Sequence, residues 1–207
     1  MTWALASTAI VIVGVVAALA WFERTGPDAR QVALVAALAA LAVAGRLAFA
    51  PLPSVKPTTD LVFLAGFAFG ATPGFVVGAT AALVSNMAFG QGVHTPWQML
   101  AWGGVGVVGA LLARPLGRRP HPFVLALVCG LCAWGFSAFM DLSVWTQTAP
   151  GHTLDDLLAI VARGVPFTAA HVVGSVLFAL AFGRPVLVAL ERAERRAHVV
   201  WLAPADG

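Results

Sequence analysis

The chain has 207 residues, 60% of them hydrophobic and only 10% charged, with 12 Lys and Arg against 9 Asp and Glu. A soluble domain carries about 25% charged residues, so this chain lacks the polar surface to coat a water-soluble globule. That excludes a cytoplasmic enzyme, a secreted disulfide scaffold and a nucleic-acid binder, and the basic pI of about 9.7 marks topology instead of a partner.

In chain order, the apolar blocks fall at 3–22, 31–50, 61–72, 75–90, 96–113, 122–147 and 157–182. Each block but the third approaches the roughly 20 residues that cross a bilayer as a helix. The first could be a signal peptide, since Ala18, Leu19 and Ala20 resemble a cleavage site. However, residues 1–9 carry no basic flank and the run is long, so a retained extra helix is expected. The stretch 61–90 reads either as one kinked helix or as two helices hinged at Ala71, Thr72, Pro73 and Gly74.

The cations decide between these. Arg24 and Arg30, then Arg114, Arg118 and Arg119, then Arg184, Arg192, Arg195 and Arg196 make nine of the twelve. With two helices in 61–90 all nine lie on one side, as the positive-inside rule requires. The expectation is an all-α polytopic membrane bundle of seven spans, N-terminus outside and C-terminus cytoplasmic. It divides into an extra helix and connector at 1–30, a six-helix domain at 31–190 and a tail at 191–207. Gly66, Gly70, Gly74 and Gly78 recur every four residues across the hinge, a spacing for close helix contact or for exposed backbone lining a cavity. Cys129 and Cys132 sit in an apolar run and read as two small hydrophobes.

The polar residues within or bordering spans are Arg46, Asp60, Asn86, Gln98, Asp141, Arg163 and His171. All but His171 fall toward the outer end. Intramembrane charge is costly and by default functional, and a one-sided set suggests a pocket open outward and closed inward. The outer connectors add Lys56, Thr58 and Thr59, then Gln91, His94, Thr95, Trp97 and Trp102, with Trp145 further on. Pockets for organic solutes are apolar with a few placed hydrogen-bonding groups. The expected binding set is therefore Lys56, Thr58, Thr59, Asp60, Asn86, Gln91, His94, Thr95, Trp97, Gln98, Trp102, Asp141, Trp145 and Arg163. The tryptophans also suit an outer aromatic belt; Lys56 with Asp60, and Asp141 with Arg163, also suit structural pairs.

No phosphate loop is present, and Lys56 is the only lysine, so neither ATP hydrolysis nor a retinal Schiff base in the last helix is expected. No zinc-protease motif occurs, and His171 with Ser175 lacks an accompanying oxyanion motif. No catalytic residue, metal site or cofactor is expected.

Three stretches together resemble the substrate-capture (S) component of energy-coupling-factor (ECF) transporters, bacterial vitamin importers of the ABC class. They are the run from Arg46 through Pro51, Pro53, Lys56 and Thr58 to Asp60, the glycine series, and Ser85, Asn86, Gly90, Gln91 and Gly92 followed by Thr95, Pro96, Trp97, Gln98, Met99, Trp102 and Gly103. The resemblance spans residues 31–190; the extra first helix departs from it. It implies a plasma-membrane subunit that captures a vitamin, cobalamin first among the choices, under a lid formed by the first core connector. It further implies docking on a transmembrane coupling subunit and two cytoplasmic ATPases, and toppling in the lipid to release the ligand. The family's small-residue docking stripe would fall on Ala33, Ala36, Ala37, Ala40 and Ala44. A stand-alone permease and an intramembrane enzyme remain as alternatives.

Overall fold

The computed structural model describes residues 3–117 and 119–197; Arg118 and the tail beyond 197 lie outside the described residues, as do the side chains of Arg195 and Arg196. The helices are α1 (Trp3–Arg24), α2 (Ala29–Ala48), α3 (Thr58–Phe69), α4 (Ala71–Phe89), α5 (His94–Leu116), α6 (Pro122–Thr148), α7 (Leu154–Phe178) and α8 (Arg184–Ala197), the last two joined by a π-turn at Ala179–Gly183. Among the described residues, six helical segments are long and apolar enough to cross a membrane, and α3 is a shorter apolar one. The protein is a multi-pass helix bundle.

Local chemistry sets the ends. Asp28 caps α2 by accepting from the Gln31 amide at 2.7 Å, and Thr153 with Asp156 forms a reciprocal capping box on α7, each satisfying amides that a helix leaves unpaired. The break between α3 and α4 is the single residue Gly70, at φ 98°, a conformation costly for any residue with a Cβ. The hinge thus falls just before the expected 71–74 stretch. Pro73 lies in the first turn of α4, where its missing N–H is not needed.

The chain folds back tightly at Gly70. A Cβ on Gly74 would meet the Gly66 backbone, one on Gly66 would collide with the Gly106 carbonyl, and one on Gly109 with the Phe63 carbonyl. The glycine periodicity therefore serves backbone-to-backbone packing of α3, α4 and α5. Around it lies the core, including Val62, Phe63, Leu64, Val77 and Leu125, all buried.

Because α3 has 12 residues and α4 has 19, a hairpin pinned at Gly70 leaves the outer end of α3 ~10 Å lower than that of α4 at 1.5 Å per residue. The 49–57 connector descends into that step. At the opposite end the expected boundary at 182 is overrun: the helix continues through α8, whose Leu187 and Leu190 are buried in the core cluster with α3 residues. Burial of those two side chains explains why the helix does not stop.

The first helix is the least integrated. It lies against α4, α5 and α6 with only Val11 and Val15 buried. The Trp3 ring sits 5.9 Å from His152, which puts the N-terminus of α1 at the same end as the 90–93, 49–57 and 149–153 connectors, as the seven-segment count requires.

Candidate functional site

Arg46, in the last turn of α2, is buried. Its guanidinium donates to the Ser85 hydroxyl and to Asn86 Oδ1 at 2.8 Å. It also lies 4.7 Å from the Phe89 ring centre and 4.8 Å from that of Trp102, close enough for cation–π attraction. Asn86 is the hub. Its amide nitrogen donates to Thr95 Oγ1 at 3.1 Å and Gln98 Oε1 at 2.8 Å, and Thr95 passes its own proton to Gln91 Oε1 at 2.9 Å. Three helices are tied here by side chains that would be costly to bury unpaired.

A second chain runs inward from Trp102. Its Nε1 donates to Thr59 Oγ1 at 3.0 Å, and Thr59 Oγ1 is 2.8 Å from His171 Nε2. The other ring nitrogen is 3.3 Å from Ser137 Oγ, which gives its proton to the Ala133 carbonyl at 3.0 Å. Counting donors fixes the tautomer: Ser137 must accept from Nδ1–H, so Nε2 accepts the Thr59 proton. A neutral His171 satisfies every member. Deeper still, the Asp60 carboxylate is buried and makes no hydrogen bond, facing Cys129 and Ser175. Below that layer the buried side chains of the described residues are apolar.

A cavity of about 270 Å³ opens above the first network, walled by the 49–57 connector, Arg46, Asn86, Phe89 and His94. Lys56 lines it, with its Nζ 5.8 Å from the Trp102 ring centre. Burial, and then the like charge of Arg46, push the Lys56 amine down to about 8. Two cations therefore converge on one ring with no carboxylate between them. A larger cavity of about 700 Å³ between α5 and α6 is lined by residues such as Leu100, Val108, Leu131 and Phe139, which offer no polar side chain to orient a solute.

The structure thus brings Lys56, Asn86 and His94 to the wall of the cup, joins Thr95, Gln98 and Gln91 to it through Asn86, and sets Trp102 and Thr59 beneath it. Thr58 bonds the Ala42 carbonyl at 3.3 Å and is sealed. Asp60 does not pair with Lys56, because it points into the core. Trp97 is buried but turned toward Phe139, 5.3 Å away, so it does not join Gln98 and Trp102 at the cup, and neither Trp97 nor Trp102 belongs to a lipid-facing belt. Asp141 and Arg163 line a separate cavity between α6 and α7 and form no ion pair; the Arg163 side chain bonds the Ala159 carbonyl in its own helix. Trp145 bonds the Thr153 carbonyl at 3.0 Å, also away from the cup.

The sequence reading omits Arg46 and Ser85 from the binding set, and Phe89 with them. An arginine in an apolar helix without an acidic neighbour one turn away was the available signal for the first.

A family profile described as "Family of unknown function (DUF6580)" matches residues 27–197. No curated protein and no solved structure matches the chain. The matched stretch begins after α1 and contains the whole cup, its connector and the helices beneath it. With most of its length covered in this way, the chain belongs to the DUF6580 family.

Proposed function

We propose that this chain is the substrate-capture subunit of an ECF-type importer in the bacterial plasma membrane, binding a vitamin or related micronutrient at its outer face. The observation that carries the reading is one-sidedness. Buried hydrogen-bonding groups fill the end of the bundle bearing the 49–57 connector, and among the described residues the buried side chains of the opposite half are apolar. A channel or self-contained permease needs polar groups along its whole path, whereas a capture subunit needs a cup. The connector that walls the cup is placed to act as its lid.

The docking stripe fits the same reading. Ala33, Ala36, Ala37, Ala40 and Ala44 are all exposed on α2, and small residues let a partner helix approach closely. Energy would come from two cytoplasmic ATPases through a coupling subunit, with the bundle toppling to deliver its cargo. A ligand as large as cobalamin exceeds 270 Å³, so its capture requires the 49–57 connector to swing out.

The test is uptake into proteoliposomes, with the ligand first identified by mass spectrometry of small molecules carried through detergent purification. Uptake is expected only when the coupling subunit and ATPases are co-reconstituted. Equal uptake by the chain alone would refute the proposal.

A further inference from the structure

We infer that the cup seats an oxyanion, a carboxylate or phosphate group of the solute, between Arg46 and Lys56 under the 49–57 connector. This rests on the capture reading and names the chemical class of its ligand.

Arg46 is held from both sides: Ser85 and Asn86 accept from one of its nitrogens, and Phe89 and Trp102 clamp its plane. Its remaining N–H groups bond no protein atom and are not among the sealed polar atoms, so they face the cavity. A guanidinium edge of this kind matches a carboxylate or phosphate in two-point geometry. Lys56 brings a second charge to the same Trp102 ring and makes no hydrogen bond or ion pair with a described residue.

Holding two like charges in apolar surroundings is unfavourable unless a counter-charge arrives. No described residue supplies it. Asp60, four residues after Lys56, has both oxygens sealed in the core, and Asp141 and Asp156 line the other cavity. His94 and Asn86 line the same wall and add hydrogen-bonding groups. Phe89 gives the flat apolar surface that an organic body would cover.

Lys56 is the only lysine in the chain, so amine chemistry on the purified full-length protein reads this site alone once the α-amine is separated by peptide mass. The rate of Lys56 acetylation by a neutral N-hydroxysuccinimide ester is measured in detergent, in chloride and, at matched ionic strength, in inorganic phosphate or benzoate. An oxyanion beside the ammonium stabilises its protonated form, so acetylation is expected to slow by about tenfold. Benzamide, the neutral counterpart of benzoate, is expected to give no protection. Arg46→Gln should abolish protection and Arg114→Gln, at the far end of α5, should keep it. Should Arg46→Gln fail to fold, Asn86→Asp places a carboxylate on Arg46 and should abolish protection in a folded protein.

Equal rates in all salts, or equal protection by benzamide, would overturn the inference. A second arm uses nanodiscs: if phosphatidylglycerol protects Lys56 without added phosphate and phosphatidylcholine does not, the oxyanion is a lipid headgroup and the solute assignment is overturned. Anion protection without partner-dependent uptake would leave the seat standing and end the importer reading. Uptake without anion protection would do the reverse.

Discussion

Replacing Asn86 by alanine removes three hydrogen bonds at once, and the structure allows the loss to be apportioned. Arg46 loses one acceptor of a charged bond, worth about 1.5–3 kcal/mol, while keeping Ser85. Thr95 and Gln98 each lose a neutral bond of about 0.5–1.5 kcal/mol. Thr95 retains Gln91 at 2.9 Å and the Gly92 amide at 3.3 Å, and Gln98 is partly exposed, so water offsets part of the total. A loss of about 3 kcal/mol follows, which for a chain of this size lowers Tm by about 6–12 °C. Gln98→Ala breaks only one neutral bond and should cost about 1 kcal/mol, or about 2–4 °C. Cys129 and Cys132 are the only cysteines and both are buried, so a thiol-reactive fluorophore in detergent reports unfolding directly. A drop at Gln98→Ala equal to that at Asn86→Ala, or a drop below about 2 °C at Asn86→Ala, would refute the hub.

Other outcomes follow from the same geometry. Gly106→Ala drives a methyl into the Gly74 backbone and should destabilise by about 1–3 kcal/mol or more, while Gly104→Ala, which meets nothing within 4 Å, should leave Tm unchanged in the same thiol assay. The Lys56 amine titrates near 8 in the folded protein against about 10.4 when unfolded. The unfolded chain therefore holds more protons between those values, and stability should rise from pH 8 to pH 10. Arg46, His94 and His171 are the other titratable groups around it, and thermal scans of Lys56→Met should lose the rise that wild type shows. A variant lacking residues 1–26 should keep Tm within a few degrees, because α1 buries only Val11 and Val15 and apolar contact between helices adds little in lipid; loss of the folded bundle on size-exclusion chromatography would contradict this.

The helices were legible because length and hydropathy alone decide whether a segment can cross a bilayer. The division at Gly70 was legible from the cations, since placing nine of them on one side needs an odd number of crossings. Parity and depth do not give azimuth, however. Asp141, Arg163 and Trp145 lie at the expected depth but on the α6 and α7 side, so they were grouped with a cup they do not line. Asp60 borders its span in the sequence and is expected beside Lys56, but the shortness of α3 draws its first turn into the core. Arg46 counts among the intramembrane charges in the sequence yet stays outside the expected binding set, because only the fold brings in Asn86 and Trp102, which lie 40 and 56 positions further along the chain.

The glycine seam joining α3, α4 and α5 has a mechanical consequence. A gate made of side chains opens by swinging rotamers, and Gly66, Gly74 and Gly106 have none to swing. If the proposed capture role holds, a ligand resting above such a seam has no trapdoor beneath it, since parting these helices would separate main chains along their whole line of contact. On that reading, release would fall to reorientation of the molecule as one stiff body, in which the 49–57 connector bends and the keel does not.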